Sequence, residues 1–215
     1  DPDKGVGYRL VSREIMLYLD PQTGEILRRF DNPWTGASNE VIHVANDPVN
    51  QRPGFGINVD GSEKAFTYRD VNGQYLINYE IPLFYKNAMG GDYQKYVGGS
   101  YHATEIFDFN GDVAELLDAS KPVAYPVISW VRLAPWLPWM EMNGRAGMLY
   151  FNAMGRKLEN YEQLSEVIKA EIAQQYPDYT TPPPLDDPRR NETSWTFMKK
   201  IIDSRTEEAA ATPQH

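Results

Sequence analysis

From Gly7 to Leu158 the apolar residues fall into short runs that alternate or are rich in β-branched and aromatic side chains, with Gly, Pro, Asn and Asp between them. Only "DVAELLD" (112–118) in this stretch reads as helical, and it offers one or two turns. This spacing restricts the fold. Successive parallel strands need a helix-length crossover between them, so these runs must pair antiparallel through turns. The pattern predicts a mainly β (α+β) chain: an antiparallel β-barrel or strongly curved sheet, with C-terminal helices packed on it.

The first predicted strand, "GYRLVSREIMLYLD" (7–20), ends at the Pro–Gly turn "PQTGE" and takes "EILRRFD" (25–31) as its hairpin partner. "NPWTG" (32–36) then turns the chain into a third short strand, "NEVIHVAND" (39–47), and residues 48–64 read as a long loop. "KAFTYRD" (64–70) and "QYLINYEIPLFYK" (74–86) flank Asn72-Gly73. That dipeptide tolerates the positive φ of a two-residue hairpin. "NAMGGDYQKYVGGS" (87–100) reads as a mobile, glycine-rich stretch, and strands are predicted within 101–109, 123–133 and 147–158.

Past Asn160, a candidate N-cap, Tyr161, Leu164, Val167, Ile168, Ile172 and Tyr176 recur at helical spacing. "TTPPPLDDP" (180–188) is a stiff extended linker. Asn191 is a candidate cap for a second helix, with Trp195, Met198, Ile201 and Ile202 on one face. The expected organisation is a β domain over 1–158, helices at 159–204 packed on the same domain, and a disordered tail at 205–215. The chain starts at Asp1 rather than Met, so residues upstream are expected to have been removed or left out.

A formal charge of −9 with no basic cluster argues against a nucleic-acid partner and against an anionic membrane surface. No apolar run approaches the ~18 residues of a membrane span. The absence of cysteine removes thiolate catalysis, disulfides and Cys-type metal sites, and leaves cytoplasmic and periplasmic locations equally open.

"YRLVSREIMLYLDPQTGEIL", "NPWTG", "VIHVANDPVN" and "SWVRLAPWLPWMEMNGRAGMLYFNAMGRKL", with the closing helices, resemble the bacterial family catalogued as domain of unknown function 1838. The resemblance runs through most of residues 7–204. It implies further chain upstream, and it speaks to fold and boundaries more than to chemistry.

"APWLPWMEMNGRAG" (134–147) concentrates two Trp, two Pro and two Met before Arg145. Proline excludes this run from regular structure, and it stiffens a loop so that indoles are held ready. Trp136 and Trp139 are therefore expected to wall an apolar pocket, together with Trp130 and Arg132 of the preceding strand, Arg145, Tyr101 and Tyr150. The plainer account is a plug that closes one end of the fold, and a subunit interface is a third. His43 and His102 are the only histidines outside the tail. Either could shuttle protons near neutral pH, with Glu14, Glu105 or Asp47 as partner, though a lone strand histidine is more often structural. For "HVANDPVN", a turn after a strand is the plainer reading, and Glu14 in an ion pair with Arg13 or Arg132 is an equal alternative. His43, His102 and a carboxylate could make a facial metal triad, but no HxH or HExxH pair supports it and no phosphate-binding glycine loop is present, so neither metal nor cofactor is expected; without a GxSxG elbow a serine hydrolase is not expected either.

These features together suggest an enzyme with an aromatic-lined barrel pocket. It would be a cofactor-independent acid/base lyase or isomerase acting on an aromatic compound. Arg132 or Arg145 would hold a developing oxyanion. The alternative is a non-catalytic carrier of an apolar or aromatic ligand, and a homo-oligomer fits the Trp-rich loop.

Overall fold

A computed structural model describes residues 10–51, 60, 62, 67–86, 100–142 and 145–211. The 87–99 segment, most of the predicted 48–64 loop beyond Gln51, and His215 lie outside the described residues. The strands are β1 (Leu10–Met16), β2 (Arg29–Asp31), β3 (Ser38–Glu40), β4 (Val44–Gln51), β5 (Arg69–Val71), β6 (Gln74–Lys86), β7 (Ser100–Asp112), β8 (Val127–Ala134) and β9 (Leu149–Arg156). The helices are α1 (Val113–Leu117), α2 (Glu166–Gln175) and α3 (Ser194–Ala211).

Every pairing is antiparallel. The largest sheet is a meander, β5-β6-β7-β8-β9, and two smaller sheets pair β1 with β4 and β2 with β3. No barrel closes among the described residues. β1 and β4 pair only with each other, and β9 ends the five-stranded sheet, so the sheets face one another without joining. The fold is thus mainly β, with antiparallel sheets and C-terminal helices.

Local chemistry accounts for much of this. Asn72 and Gly73 both take positive φ, 55° and 81°, and set the tight β5–β6 turn. Asp112 caps α1 by accepting a hydrogen bond from the Ala114 N–H at 2.8 Å. The turn at "PQTGE" forms, but its hairpin is reduced to a Leu19–Ile26 bridge. β1 instead takes β4 as its mate, across a register shift between Ser12 and Glu14. The stretch 39–47 is not one strand, and the chain does not turn at Asp47-Pro48. Strand β4 runs through Pro48, because residues Asn191 and Glu192 complete its outer bonding. Asn191 Oδ1 accepts from the Asn50 N–H at 3.0 Å, and the Glu192 N–H donates to the Pro48 carbonyl at 2.9 Å.

The same contacts correct the helix boundaries. Asn191 is spent on β4, and Thr193 caps α3, its Oγ1 accepting from the Thr196 N–H at 3.2 Å. Asn160 precedes only a short 3-10 turn, and α2 begins after Ser165. Residues 205–211, expected in a disordered tail, continue α3.

Trp195, Met198 and Ile202 are fully buried on the expected face of α3. Side chains of this size contribute roughly 1.5–3 kcal/mol each on burial. They pack with Val41, Ile42, Ala45, Tyr101, Ala103, Leu137 and Trp139 into one core. Period-two alternation decides what β7 offers this interior. Tyr101 and Ala103 are buried, whereas His102 is exposed.

A candidate ligand cavity between the sheets

The inward faces of β1–β4 and of the large sheet do not meet throughout. Between them, under the first turn of α3, lies a cavity of about 430 Å³. That size falls within the range of small-molecule sites. One wall carries Glu14, Ile15, Met16, Val44, Asn46 and Val49, the opposite wall Ile81, Leu83, Glu105, Phe107, Trp130 and Arg132. Residues 191–195 form its roof.

Register places the polar groups. Glu105 of β7 stands opposite Arg132 of β8, and Phe107 opposite Trp130. Arg132 is 4% exposed. Its Nη1 donates to Glu105 Oε1 at 3.1 Å and to Ser194 Oγ at 3.2 Å. On the facing sheet Glu14 is paired in register with Asn46, whose Nδ2 donates to Glu14 Oε2 at 3.3 Å.

Glu14 is exposed, its side chain open to solvent through the cavity, with protein atoms crowded around the carboxyl. Loss of bulk hydration pushes its pKa up. The neighbouring charge of Glu105 adds to the rise, and the Asn46 hydrogen bond and Arg132 oppose it. Glu105 is also pushed up by burial, against the pull of Arg132. The result is an acid that holds its proton more tightly than a surface carboxylate, beside a guanidinium fixed by two bonds.

The structure brings together four of the residues singled out from sequence: Glu14, Glu105, Trp130 and Arg132. It places the others elsewhere. His43 is buried behind β1, its Nδ1 accepting from the Tyr18 N–H at 3.2 Å while its ring stacks on Tyr18. Burial, with the charge of Arg28 second, lowers its pKa, so it stands neutral. His102 is on the outer face of β7, where its Nε2 lies 3.1 Å from Ser100 Oγ. Asp47 follows Asn46 and so points to the other side, held by Arg13 and Arg189, each at 3.0 Å.

The Trp-rich loop is not a wall of this cavity. Trp139 is a core residue edge-on to Tyr18 and Phe30. Trp136 packs under Gly147 and beside Trp34. Arg145 lies over the Trp34 ring at 5.1 Å. Asn32, 1% exposed, fastens the loop: its Nδ2 donates to the Met140 carbonyl at 2.9 Å. The loop is therefore a plug, the plainer of the readings above. Tyr101 is buried against Trp195 with ring centroids 4.0 Å apart. Tyr150, at an even position on the edge strand β9, faces outward and is 63% exposed.

Sequence reasoning missed the roof. Asn191 and Glu192 lie 141 and 145 residues from their partners on β4, and Ser194 lies 62 from Arg132. No local pattern announces where a helix start docks. Phe107 was legible as an inward neighbour of Glu105 once the face of β7 is known.

Among the described residues no helix is long and apolar enough to cross a membrane. The family described as "Protein of unknown function (DUF1838)" matches residues 1–202, and the chain belongs to it. No curated protein and no solved structure matches the chain.

Proposed function

We propose that the chain is an acid/base enzyme, a lyase or isomerase acting on an aromatic or similarly flat small molecule, and that Glu14 moves the proton. The observation that carries this reading is the meeting of Glu14 with the Arg132–Glu105 pair in one cavity, beside Phe107, Trp130 and aliphatic side chains and under the polar 191–194 roof. Phe107 and Trp130 offer ring faces to a flat substrate. Ionised Glu14 removes a proton from a carbon beside a carbonyl. The electron pair moves onto the carbonyl oxygen, whose negative charge Arg132 stabilises. Glu14 then returns the proton, to another carbon in an isomerisation or to the leaving group in an elimination. A raised pKa suits both halves of this cycle, because the same group must give the proton back near neutral pH. Neither imidazole takes part.

Solvent-deuterium exchange tests the proposal before any product is identified. Flat aromatic ketones are incubated with the protein in D2O, and label is read by proton NMR. Exchange at the position next to the oxygen, lost in Glu14→Gln, is the expected result. Binding with no exchange under any pH overturns it and marks a carrier of the same class of ligand.

A further inference from the structure

Arg132 and Glu105 share one hydrogen bond, between Nη1 and Oε1. The atoms beside those two, Arg132 Nη2 and Glu105 Oε2, have no hydrogen-bond partner among the described residues, and Arg132 Nε is buried without one. Arg132 is itself almost wholly buried, so the area it retains opens into the cavity it lines. The pair therefore presents one free donor and one free acceptor on the same wall, next to the ring of Trp130. Both are charged, and charged partners form the stronger hydrogen bonds.

We infer that the cavity's ligand carries an acceptor beside a donor at one edge of a flat ring, as in a lactam or an enolised 1,3-dicarbonyl, received by Arg132 Nη2 and Glu105 Oε2. Charge decides against an anion, and pairing against a cation. A carboxylate would satisfy Arg132 but meet three carboxyl groups, Glu14, Glu105 and Glu192. An ammonium would satisfy Glu105 but face the Arg132 guanidinium and leave its Nη2 unpaired. A neutral group with both functions pairs Nη2 and Oε2 together, and an unmet buried polar group is what sites discriminate by most strongly. The lactam N–H or enol O–H donates to Oε2, and the carbonyl accepts from Nη2. That carbonyl is the oxygen on which negative charge develops in the reaction above. The inference rests on that reading only in needing the cavity to hold a ligand, since the recognition can be read without turnover.

Four bicyclic probes of equal shape test it by calorimetry and ligand-observed NMR on the whole chain: quinolin-2-one, quinoline, 2-naphthoate and 2-naphthylmethylamine. The lactam is expected to bind about tenfold or more tightly than each of the others, the usual margin for a satisfied charged hydrogen bond. Glu105→Gln removes one repelling charge and should narrow the lactam-to-naphthoate ratio by about tenfold. Arg132→Lys keeps the charge but loses Nη2, and should weaken the lactam while sparing quinoline. Equal or tighter binding of naphthoate or the amine overturns the inference, as does unchanged discrimination in both variants. No measurable binding of any probe at about millimolar concentration overturns it as well. Glu14→Gln separates this from the proton-transfer reading. Lactam preference retained with exchange absent in wild type defeats only the chemistry, whereas exchange present without lactam preference defeats only the recognition.

Discussion

Glu14 on β1 and Glu105 on β7 face one cavity from two different sheets, and Arg132 bonds to Glu105 while Glu14 has the Asn46 amide. The two acids are therefore inequivalent. One is tied to a cation, and the other is free to change charge. Because the folded state raises the pKa of Glu14 above its unfolded value, near 4.3, the stability it contributes is fully present below the unfolded value. It is lost as pH rises through the folded value. Glu14→Gln should therefore melt higher than wild type at pH 8, by about 0.5 kcal/mol after screening by cavity water. The difference should vanish by pH 4. A melting series over that range checks it, and a lower Tm for the variant at pH 8 contradicts it.

The opposite sign holds at Glu171. Arg28 grips this carboxylate with two bonds, Nη1 to Oε1 at 2.9 Å and Nη2 to Oε2 at 2.6 Å, fastening α2 to the segment before β2. The Arg28 hydrogen bonds hold Glu171 below the usual carboxylate range, against the opposing effect of burial. Its stabilisation is present above the unfolded pKa and fades as pH falls through the folded one. Arg28→Met leaves the acid buried and unpaired. It should cost about 2–3 kcal/mol at pH 7, with the loss shrinking below pH 4. Urea unfolding at both pH values measures the two numbers.

The Trp loop shows what could be read in advance and what could not. Proline in "APWLPWM" correctly excluded regular structure except for one 3-10 turn at Pro138–Met140. Composition alone does not distinguish a wall from a plug, because both want aromatic surface. The deciding partner was Asn32, more than 100 residues away, whose amide fixes Met140. Period two placed Glu105, Arg132 and Trp130 together because β7 and β8 pair in the simplest register. The misassigned mate of β1 has a different cause. A hairpin signal is local, while β4 won by burying Val44, Ala45 and Val49, which "EILRRFD" cannot match. Alternation also gave the two faces of β7, but not which of them faces the interior. That left His102 a candidate until packing was known.

Trp136 depends on a glycine. A Cβ at Gly147 would stand 2.5 Å from Trp136 Cζ2, and the residue has φ of 140°, which side chains disfavour. Gly147→Ala must shift the indole or the strand entry to β9. It should destabilise by about 2–3 kcal/mol, from backbone strain and overpacking together. Gly155, within β9 and with open space around its Cβ position, is the control, and Gly155→Ala should change Tm by little. Thermal unfolding followed by tryptophan fluorescence reports both. Equal melting of the two variants would remove the packing role assigned to Gly147.

The histidines supply the sharpest contrast with Glu14. His102 is exposed on the far face of β7, touching Phe84 with ring centroids 4.6 Å apart. His102→Ala should leave stability within about 0.5 kcal/mol and deuterium exchange unchanged. His43 is different. Its Nδ1 is the acceptor for the half-buried Tyr18 N–H, so His43→Leu strands a backbone donor. That should cost about 1–3 kcal/mol. Yet the ring lies outside the cavity, so exchange per folded molecule should persist. Three variants then separate two proton carriers by one measurement, the rate of label uptake normalised to the folded fraction. If Glu14 moves the proton, Glu14→Gln loses about 100-fold or more while both histidine variants keep the wild-type rate. If His43→Leu loses the rate and Glu14→Gln retains it, the imidazole is the base and the cavity between the sheets is not where the chemistry happens.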